Sequence, residues 1–384
     1  MNRILETYDK SNLAIGTIGS HSALNIFKGA KDEGLRTVCV CRKNDEIVYK
    51  RFPLADEIIL VRDFREILDE KVQQRLRELN TILVPHGSFN AYLNLEEVTS
   101  SLQVPMFGNR QLLQWEVDRD KQTTWLQKAG LRLPRTFASP DDMKELTLVK
   151  FPGAKGGKGY FLVSSPESFY KKSEDMILKG FLKKEDMAKI HLQEYILGVT
   201  IFPSYFRSIL RKQVELLCMD RRYESSIDSL GRIPAEEQME MDNLAPTYTV
   251  VGNIPITLRE SLLGEYIRMG DSVAKVSEEI ASPGIVGPFC LETIATDVPE
   301  VVTFEISARI MAGTNVGIGT SPYAYLLHGE GVYMGRRIAM EIKEATAEGK
   351  LDLIDVAVCM IASSSSTPLP YLSVVEDLRQ YQQA

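Results

Sequence analysis

Two glutamates in the last third of the chain stand at a spacing typical of a cation site. Glu292 and Glu305 lie in the strand-like runs CLETIA and VVTFEIS, and DVPE (297–300) separates these runs. If Asp297 opposes Glu300 across a turn, the register sets Glu292 directly opposite Glu305. Such side chains have Cβ atoms about 4.5–5.5 Å apart, so two carboxylates there repel unless a cation lies between them. The spacing predicts Mg²⁺ or Mn²⁺ shared with substrate phosphates, and two solvated glutamates on an exposed sheet face are the alternative.

An arginine follows the second glutamate by four residues, an even spacing that keeps both side chains on one face of a strand. Period-two alternation places Arg309, like Ser307, on the same face of the strand as Glu305. A guanidinium in that place is suited to phosphoryl oxygens. We therefore predict that Arg309 is a catalytic residue of the site.

Two glycine-rich segments could bind phosphate. GAKGGKGYFLV (153–163) lies between strand-like runs, so its glycines allow close approach of the backbone and Lys158 supplies charge. It is not a P-loop, because no Ser or Thr follows the last lysine; a flexible hairpin turn is the alternative. AGTNVGIGTSPYAY (312–325) is a polar loop that precedes a predicted helix at Pro322, where phosphate could also bind.

Polar residues also follow two predicted strands near the N-terminus, in GSHSA (19–23) and HGSF (86–89). In a doubly wound sheet, ligands bind beyond the carboxyl ends of the strands. Ser22 could form an anion site at a helix N-terminus, or simply cap that helix. For His21 and His86, spacing alone favours histidines with ordinary hydrogen bonds.

The elements that must position these residues fall into two patterns. From residue 13 to 107 apolar strands alternate with amphipathic helices, which predicts a parallel, doubly wound α/β sheet. The predicted strands are 13–19, 37–42, 57–61 and 104–108, together with a strand that runs into a loop over 81–88, and the predicted helices are 22–34 and 63–79.

The remainder of the chain favours an α+β arrangement. Residues 109–134 read as a helical bridge of one or two helices, and residues 146–310 are mainly strands. Further helices are predicted near 165–180, 258–281 and 322–346. We expect a first domain over 1–108, a second over 109–350, and a weakly structured tail over 351–384, within which a short docking helix is the alternative.

Composition excludes several classes of function. The chain has 384 residues and a net charge of -7, which leaves no electrostatic footprint for nucleic acid. Its five cysteines show no CxxC spacing, which favours reduced core thiols in a cytoplasmic protein. We find no signal peptide and no run of 18 apolar residues, so we expect no membrane partner.

Together these segments resemble the ATP-grasp superfamily. The pairs DK at 120–121 and VK at 149–150 match its phosphate-contacting lysines, QEYILG (193–198) resembles its adenine hinge, and EISAR (305–309) stands where many members read EINPR. The resemblance implies a two-lobed α+β ATP-grasp domain after the doubly wound domain. The residues it implies for ATP are Lys121, Lys150, Lys158, Glu194, Tyr195 and Ile196.

A narrower resemblance covers residues 13–347 in matching order, through segments such as VPHGSF, LCMDRRYES and FEISARIMAGTNVG. The chain looks like the archaeal formate-dependent synthetases of formaminoimidazole-carboxamide ribonucleotide, the PurP family. The resemblance implies that ATP phosphorylates formate, and that the 5-amino group of aminoimidazole-carboxamide ribonucleotide (AICAR) attacks the formyl phosphate. It implies a cytoplasmic hexamer in IMP synthesis.

Carried over residue by residue, the same resemblance assigns ligands. Thr200 departs from the pattern, because many ATP-grasp hinges carry a ribose-binding glutamate there, so we expect Glu224 to take that role. The assignments are AICAR to His21, Ser88 and Asn253, ATP to Glu224, and magnesium to Glu292 and Glu305.

Three other functions remain open from the sequence. The first is an ATP-grasp ligase for another carboxylate and amine. The second is a nucleotide-binding paralogue without turnover, although it would not need Glu292, Glu305 and Arg309. The third, a nicotinamide-dependent oxidoreductase, is disfavoured because Cys39 stands where an acidic residue should follow Gly19 by about 20 residues.

Overall fold

The chain is described by a computed structural model. The described residues are 2–155, 158–178, 180, 182–239, 247–298, 300–319 and 321–356. Three features of the sequence analysis lie outside the described residues. They are the side chain of Lys158, part of the glycine-rich segment 153–163, and residues 357–384. Among the described residues, no helix has the length and apolar character that crossing a membrane requires.

The N-terminal part forms the predicted parallel α/β unit. Its sheet has the strand order β3-β2-β1-β4, with every pair parallel. Its elements are α1 (Asn2–Thr7), β1 (Ala14–Ile18), α2 (Ala23–Asp32), β2 (Arg36–Arg42), α3 (Glu46–Arg51), β3 (Glu57–Val61), α4 (Glu70–Glu78), β4 (Thr81–Leu83), α5 (Gly87–Tyr92), α6 (Leu95–Ser101) and β5 (Gly108–Asn109).

Helices cover both faces of this sheet, as a doubly wound unit requires. Alternate residues of β2 therefore enter two different cores. Cys39 and Cys41 pack in the core that includes α2, whereas Val38 and Val40 pack with α4 and α6. These two cysteines are free and fully buried, in line with their predicted role as core thiols.

Two helices, α7 (Arg110–Val117) and α8 (Arg119–Lys128), connect this unit to two antiparallel sheets. The first sheet, in the order β6-β9-β7-β8, contains β6 (Thr136–Phe137), β7 (Thr147–Lys155), β8 (Lys158–Val163) and β9 (His191–Glu194). The second, in the order β12-β11-β10-β13-β14, contains β10 (Val199–Ser208), β11 (Gln213–Ser226), β12 (Tyr248–Pro255), β13 (Gly287–Ala295) and β14 (Val301–Ser307).

The remaining helices lie around these sheets. They are α9 (Pro166–Leu178), α10 (Ile227–Leu230), α11 (Ala235–Met239), α12 (Glu260–Ile280), α13 (Pro322–His328) and α14 (Met334–Ala347). Short 3₁₀ helices span Lys10–Asn12, Phe64–Leu68, Pro140–Asp142, Lys184–Lys189, Ala312–Gly317 and Leu351–Ile354.

Three predicted elements differ from the structure. The single helix expected over 322–346 is two helices, because Gly329 and Gly331 adopt positive φ between α13 and α14. The helix expected over 63–79 begins as a 3₁₀ turn and becomes α-helical only at α4. The strand expected over 104–108 is reduced to β5 and an isolated bridge at Met106.

The expectation of a weakly structured tail from residue 351 is wrong for residues 351–356. Here β15 (Asp355–Val356) pairs with β5, and Ile354 is fully buried in the core that α2 and α14 share. Asp355 also forms a buried ion pair with Arg110 at 3.1 Å. The division into domains at residues 108 and 350 stays a prediction.

Candidate active site

The predicted carboxylate pair is present. Strands β13 and β14 are antiparallel, and Glu292 lies directly opposite Glu305. The register nearer the turn differs from the predicted one. There Thr293 lies opposite Thr303, whereas the predicted register would place Thr293 opposite Phe304. Phe304 is the extra residue of a bulge that restores the pair.

The two carboxylates have different surroundings. Glu292 is buried, and both its oxygens accept from the guanidinium of Arg222, with Nη1 to Oε2 at 2.8 Å. That guanidinium also lies over the ring of Phe202, 4.1 Å from its centroid. Glu305 is open to solvent within the cleft, yet the surrounding protein and, second, the Glu292 carboxylate raise its pKa to about 7. A cation there would replace a proton.

The carboxylate oxygens of Glu292 and Glu305 suit a hard divalent cation whose coordination shell is completed by other ligands. The described residues contain no group of three or more His, Cys, Asp or Glu side chains arranged for a metal ion. Mg²⁺ commonly takes one or two carboxylates and fills its shell with water and phosphate oxygens. Each oxygen of Glu292 has a second lone pair beside the one that faces Arg222. The pair therefore suits a cation that arrives with a phosphate.

Arg309 is held in place by a buried glutamate that the sequence analysis did not single out. Glu116 Oε1 lies 2.6 Å from Arg309 Nη2 and also accepts from Asn90 Nδ2 at 2.6 Å. Its other oxygen accepts from the Ala308 N–H at 2.8 Å. Burial raises the pKa of Glu116, so its charge depends on these partners. The arrangement links α5, α7 and the end of β14.

Of the described lysine side chains assigned to ATP, one lies near the carboxylates. Lys150 is half-buried on β7, where burial lowers its pKa and the charge of Glu305 opposes that effect. The structure does not bring Lys121 to this cluster, because its side chain is half exposed and its Nζ lies 3.5 Å from Asp118. Arg119, two residues earlier, does act on Lys150 electrostatically.

The segment assigned to the adenine hinge leaves β9 beside the first antiparallel sheet. The Glu194 carboxylate is paired with Arg135, 3.1 Å from its Nε. The Tyr195 N–H donates to the Leu146 carbonyl at 2.9 Å. Ile196 follows, and its N–H makes no hydrogen bond to any described residue. Its N–H is therefore available to a ligand, as are those of Leu197 and Gly198 in the same segment.

Glu224 lies on the same cleft, next to aromatic rings. Burial, and less strongly Asp228, raise its pKa to about 7. Tyr160 lies 5.1 Å from Tyr248 between ring centroids, and the charge of Glu224 is among the causes that raise the pKa of Tyr160. These groups form a polar and aromatic wall that joins the two antiparallel sheets.

The two N-terminal loops converge, as their positions after parallel strands predict. The rings of His21 and His86 stack with centroids 5.2 Å apart. The Ser88 hydroxyl donates to Ser20 Oγ at 3.0 Å. A Cβ on Gly87 would lie 2.7 Å from His21 Nε2, so glycine is needed there for this close approach.

Both histidines are neutral near pH 7. His86 Nε2 donates to the Ile18 carbonyl at 2.9 Å while its Nδ1 accepts from the Ser88 N–H, and burial lowers its pKa to about 4. Burial, His86 and Arg309 lower the pKa of His21 to about 2. His21 also has a positive φ of 52°, a left-handed backbone conformation that is uncommon for residues other than glycine.

These loops meet the carboxylate hairpin. His86 forms a parallel bridge with Ile310, three residues after the end of β14. The same hypothetical Cβ on Gly87 would lie 3.3 Å from Arg309 Nη1. His21, Ser88, Arg309 and the carboxylate pair therefore share one cleft.

Asn253 enters this cleft from β12. It lies opposite Arg222 on the neighbouring strand, and its Nδ2 donates to Asp220 Oδ2 at 2.8 Å. Asp220 is buried, which raises its pKa to about 6. Asp220, Arg222 and Glu116 were not assigned from the sequence. The segment LCMDRRYES contains the first two, but only strand pairing shows that they face Glu292.

Comparisons with known proteins agree with this architecture. Residues 15–137 match a family described as "Protein of unknown function (DUF1246)", and residues 168–355 match "Domain of unknown function (DUF1297)". A 5-formaminoimidazole-4-carboxamide-1-(beta)-D-ribofuranosyl 5'-monophosphate synthetase from Archaeoglobus fulgidus is 55% identical over 348 residues, which are 91% of this chain and 96% of that protein.

Solved structures share the fold. An IMP biosynthesis protein PurP from Thermococcus kodakaraensis superposes with a TM-score of 0.69 at 29% identity, over 88% of this chain and 99% of that one. N5-carboxyaminoimidazole synthetase from Staphylococcus aureus, complexed with ADP, gives 0.56 at 14% identity, over 85% and 80% respectively, and so shows the fold alone. The expected ATP-grasp fold is confirmed. The chain belongs to the family of the 5-formaminoimidazole-4-carboxamide ribonucleotide synthetases.

Proposed function

We propose that this protein is an ATP-dependent carbon–nitrogen ligase that formylates the 5-amino group of AICAR with formate. The products are FAICAR, ADP and phosphate, in IMP biosynthesis. The observation that carries the proposal is the 55% identity to a named synthetase over 91% of the chain. The geometry supports it, since a carboxylate pair, basic side chains and two ligand loops face one cleft.

Two chemical steps follow from this proposal. A formate oxygen attacks the γ-phosphorus of ATP, the bond to the bridging oxygen breaks, and formyl phosphate and ADP form. The AICAR amine then attacks the formyl carbon, loses a proton, and expels phosphate with one former formate oxygen. Alignment and neutralisation of phosphate charge are the main demands on the protein.

The basic residues of the cleft meet the second demand. Lys150 acts electrostatically on Glu305, and Arg309 follows β14 with its guanidinium held by Glu116; these are the groups we assign to phosphoryl oxygens. Glu292 and Glu305 would hold Mg²⁺ or Mn²⁺ between them, and the cation would neutralise phosphate charge when bound. The raised pKa of Glu305 supports this assignment, because a cation relieves the repulsion that raises it.

Alignment of the substrates is the role we assign to the two N-terminal loops and to Asn253. His21, Ser88 and Asn253 are the residues we assign to AICAR; the first two lie on the loops that approach Arg309 and Ile310, and Asn253 lies beside Asp220. Neutral histidine is suited to this place, because it can hydrogen-bond a ribotide without adding a charge that would attract the wrong anion. No deprotonated nucleophile on the protein is needed.

The nucleotide would lie between the antiparallel sheets. We assign ATP to Glu224, to the hinge and to two lysines, with Arg119 as a further candidate beside Lys150. We also propose that the protein is a cytoplasmic homohexamer, on the basis of the family resemblance. The assigned hinge residues are Glu194, Tyr195 and Ile196, and the lysines are Lys150 and Lys158; Lys121, which pairs with Asp118, is not retained.

A coupled assay of ADP release tests the function. Purified protein with ATP and Mg²⁺ is supplied with AICAR and formate, and each component is then omitted in turn. We expect ADP release only with all components present. Release with another carboxylate, or with formate and no AICAR at an equal rate, would contradict the assignment. Binding of ATP and AICAR without any turnover would instead indicate the paralogue without activity.

A further inference from the structure

Asp220 has no assigned role, yet it lies buried at the cleft. It is 1% exposed, and among the described residues its carboxylate accepts one side-chain hydrogen bond, from Asn253. A Cβ on Gly313 would overlap the same carboxylate. The backbone of the glycine-rich loop 312–325 thus packs closely against Asp220. This contact leaves the carboxylate little freedom to turn away from Asn253.

The Asp220 side chain faces the ligand side of the sheet. Residues two apart on a strand share a face, so Asp220 points to the same side as Arg222. Arg222 in turn grips Glu292 across the sheet. Asn253, directly opposite Arg222, is only half-buried on that face.

This contact decides which end of the Asn253 amide faces outward. A carboxylate can only accept hydrogen bonds, so it holds the NH₂ group of the amide and turns the carbonyl oxygen away. Within the described residues, no donor reaches that oxygen Oδ1. Without Asp220, both orientations of an amide would be accessible.

We propose that Asp220 is a positioning residue that fixes the Asn253 carbonyl as an acceptor for the carboxamide N–H of the ribotide base. This inference rests on the proposed function and adds a basis for selectivity. The same ribotide with a 4-carboxylate offers only acceptor oxygens, which the Asn253 carbonyl repels. A site built to hydrogen-bond a substrate N–H strongly rejects an analogue that lacks it.

The test measures binding of two ribotides by calorimetry, AICAR and its 4-carboxylate analogue. The proteins are wild type, Asp220→Asn, Asn253→Ala and the double variant, with ATP affinity as the control for an intact fold. We expect the preference of the wild type for AICAR to fall about ten-fold or more in each single variant. In the Asn253→Ala background, Asp220→Asn should change the preference no further, because the group it positions is gone.

A merely structural Asp220 gives a different pattern. It would weaken both ribotides equally, or change the preference equally in both backgrounds, and either result would overturn the inference. Gly313→Ala should act like Asp220→Asn, since it displaces the carboxylate without removing its charge. If the wild type bound neither ribotide, the proposed function itself would fail, and this inference with it.

Discussion

The ion pair between Glu116 and Arg309 gives the most specific prediction for catalysis. Glu116→Gln keeps the size of the side chain and an acceptor for the Ala308 N–H, but removes the charge opposite Arg309. Both side chains are almost fully buried, at 5% and 10% exposed. Loss of one partner of a buried pair costs about 3–5 kcal/mol, and the isosteric change should cost about 3 kcal/mol of unfolding free energy.

Activity should fall for a separate reason. Without the carboxylate, Arg309 is free to leave the orientation in which it faces the cleft beside Gly87. Removal of one preorganised donor typically lowers kcat about 10²–10³-fold. We expect kcat for ADP release to fall about 100-fold in Glu116→Gln at saturating substrates, measured well below its melting temperature.

The matched control is Glu341→Gln. Glu341 forms a comparably buried pair with Arg337, at 2.9 Å with both side chains 0% exposed, but belongs to α14 and takes no part in the cleft. It should lose similar stability, measured by thermal unfolding, and keep a kcat near that of the wild type. If both variants lost kcat equally, or if Glu116→Gln kept it, the argument that Glu116 positions Arg309 would be refuted.

Three further predictions concern the ligands. Glu292→Gln and Glu305→Gln should each abolish turnover with Mg²⁺ and leave the circular dichroism spectrum unchanged; near-normal activity in both would exclude a metal role. The Glu305 pKa is raised to about 7, so a proton competes with the metal below that pH. The Mn²⁺ affinity measured by calorimetry should fall about tenfold for each pH unit below 7 and stay constant above pH 7. An affinity that did not change from about pH 5 to 8 would contradict this. His21→Ala and Ser88→Ala should weaken AICAR by about 1–3 kcal/mol each and ATP hardly at all; the reverse order would show that these loops serve the nucleotide.

Local patterns were sufficient for much of the fold. Alternation of strands and helices predicts the parallel sheet, and the pairing of Glu292 with Glu305 follows from a short hairpin. Even there the predicted turn was one residue out, and the bulge at Phe304 compensated for it. A bulge has no clear signature in the sequence. The predicted pair of Glu292 and Glu305 is therefore correct, although the register predicted for the turn is not.

Contacts between distant strands were beyond the sequence. Arg222 meets Glu292 across β10, which lies between their strands, and that order is fixed only by tertiary packing. Glu116 looks like any residue of an amphipathic helix until the end of β14 approaches it. Residues 351–356 appeared weakly structured because their partners, such as Arg110, lie about 245 positions earlier in the chain.

The fate of the formate oxygens tests the central claim most directly. Formate labelled with ¹⁸O is incubated with the enzyme, ATP, Mg²⁺ and AICAR, and the inorganic phosphate released is analysed by mass spectrometry. If formate is phosphorylated before the amine attacks, each phosphate carries one ¹⁸O and one FAICAR forms per ADP. Phosphate without the label, together with FAICAR or without it, would contradict the account, because the ATP would then have been cleaved by water.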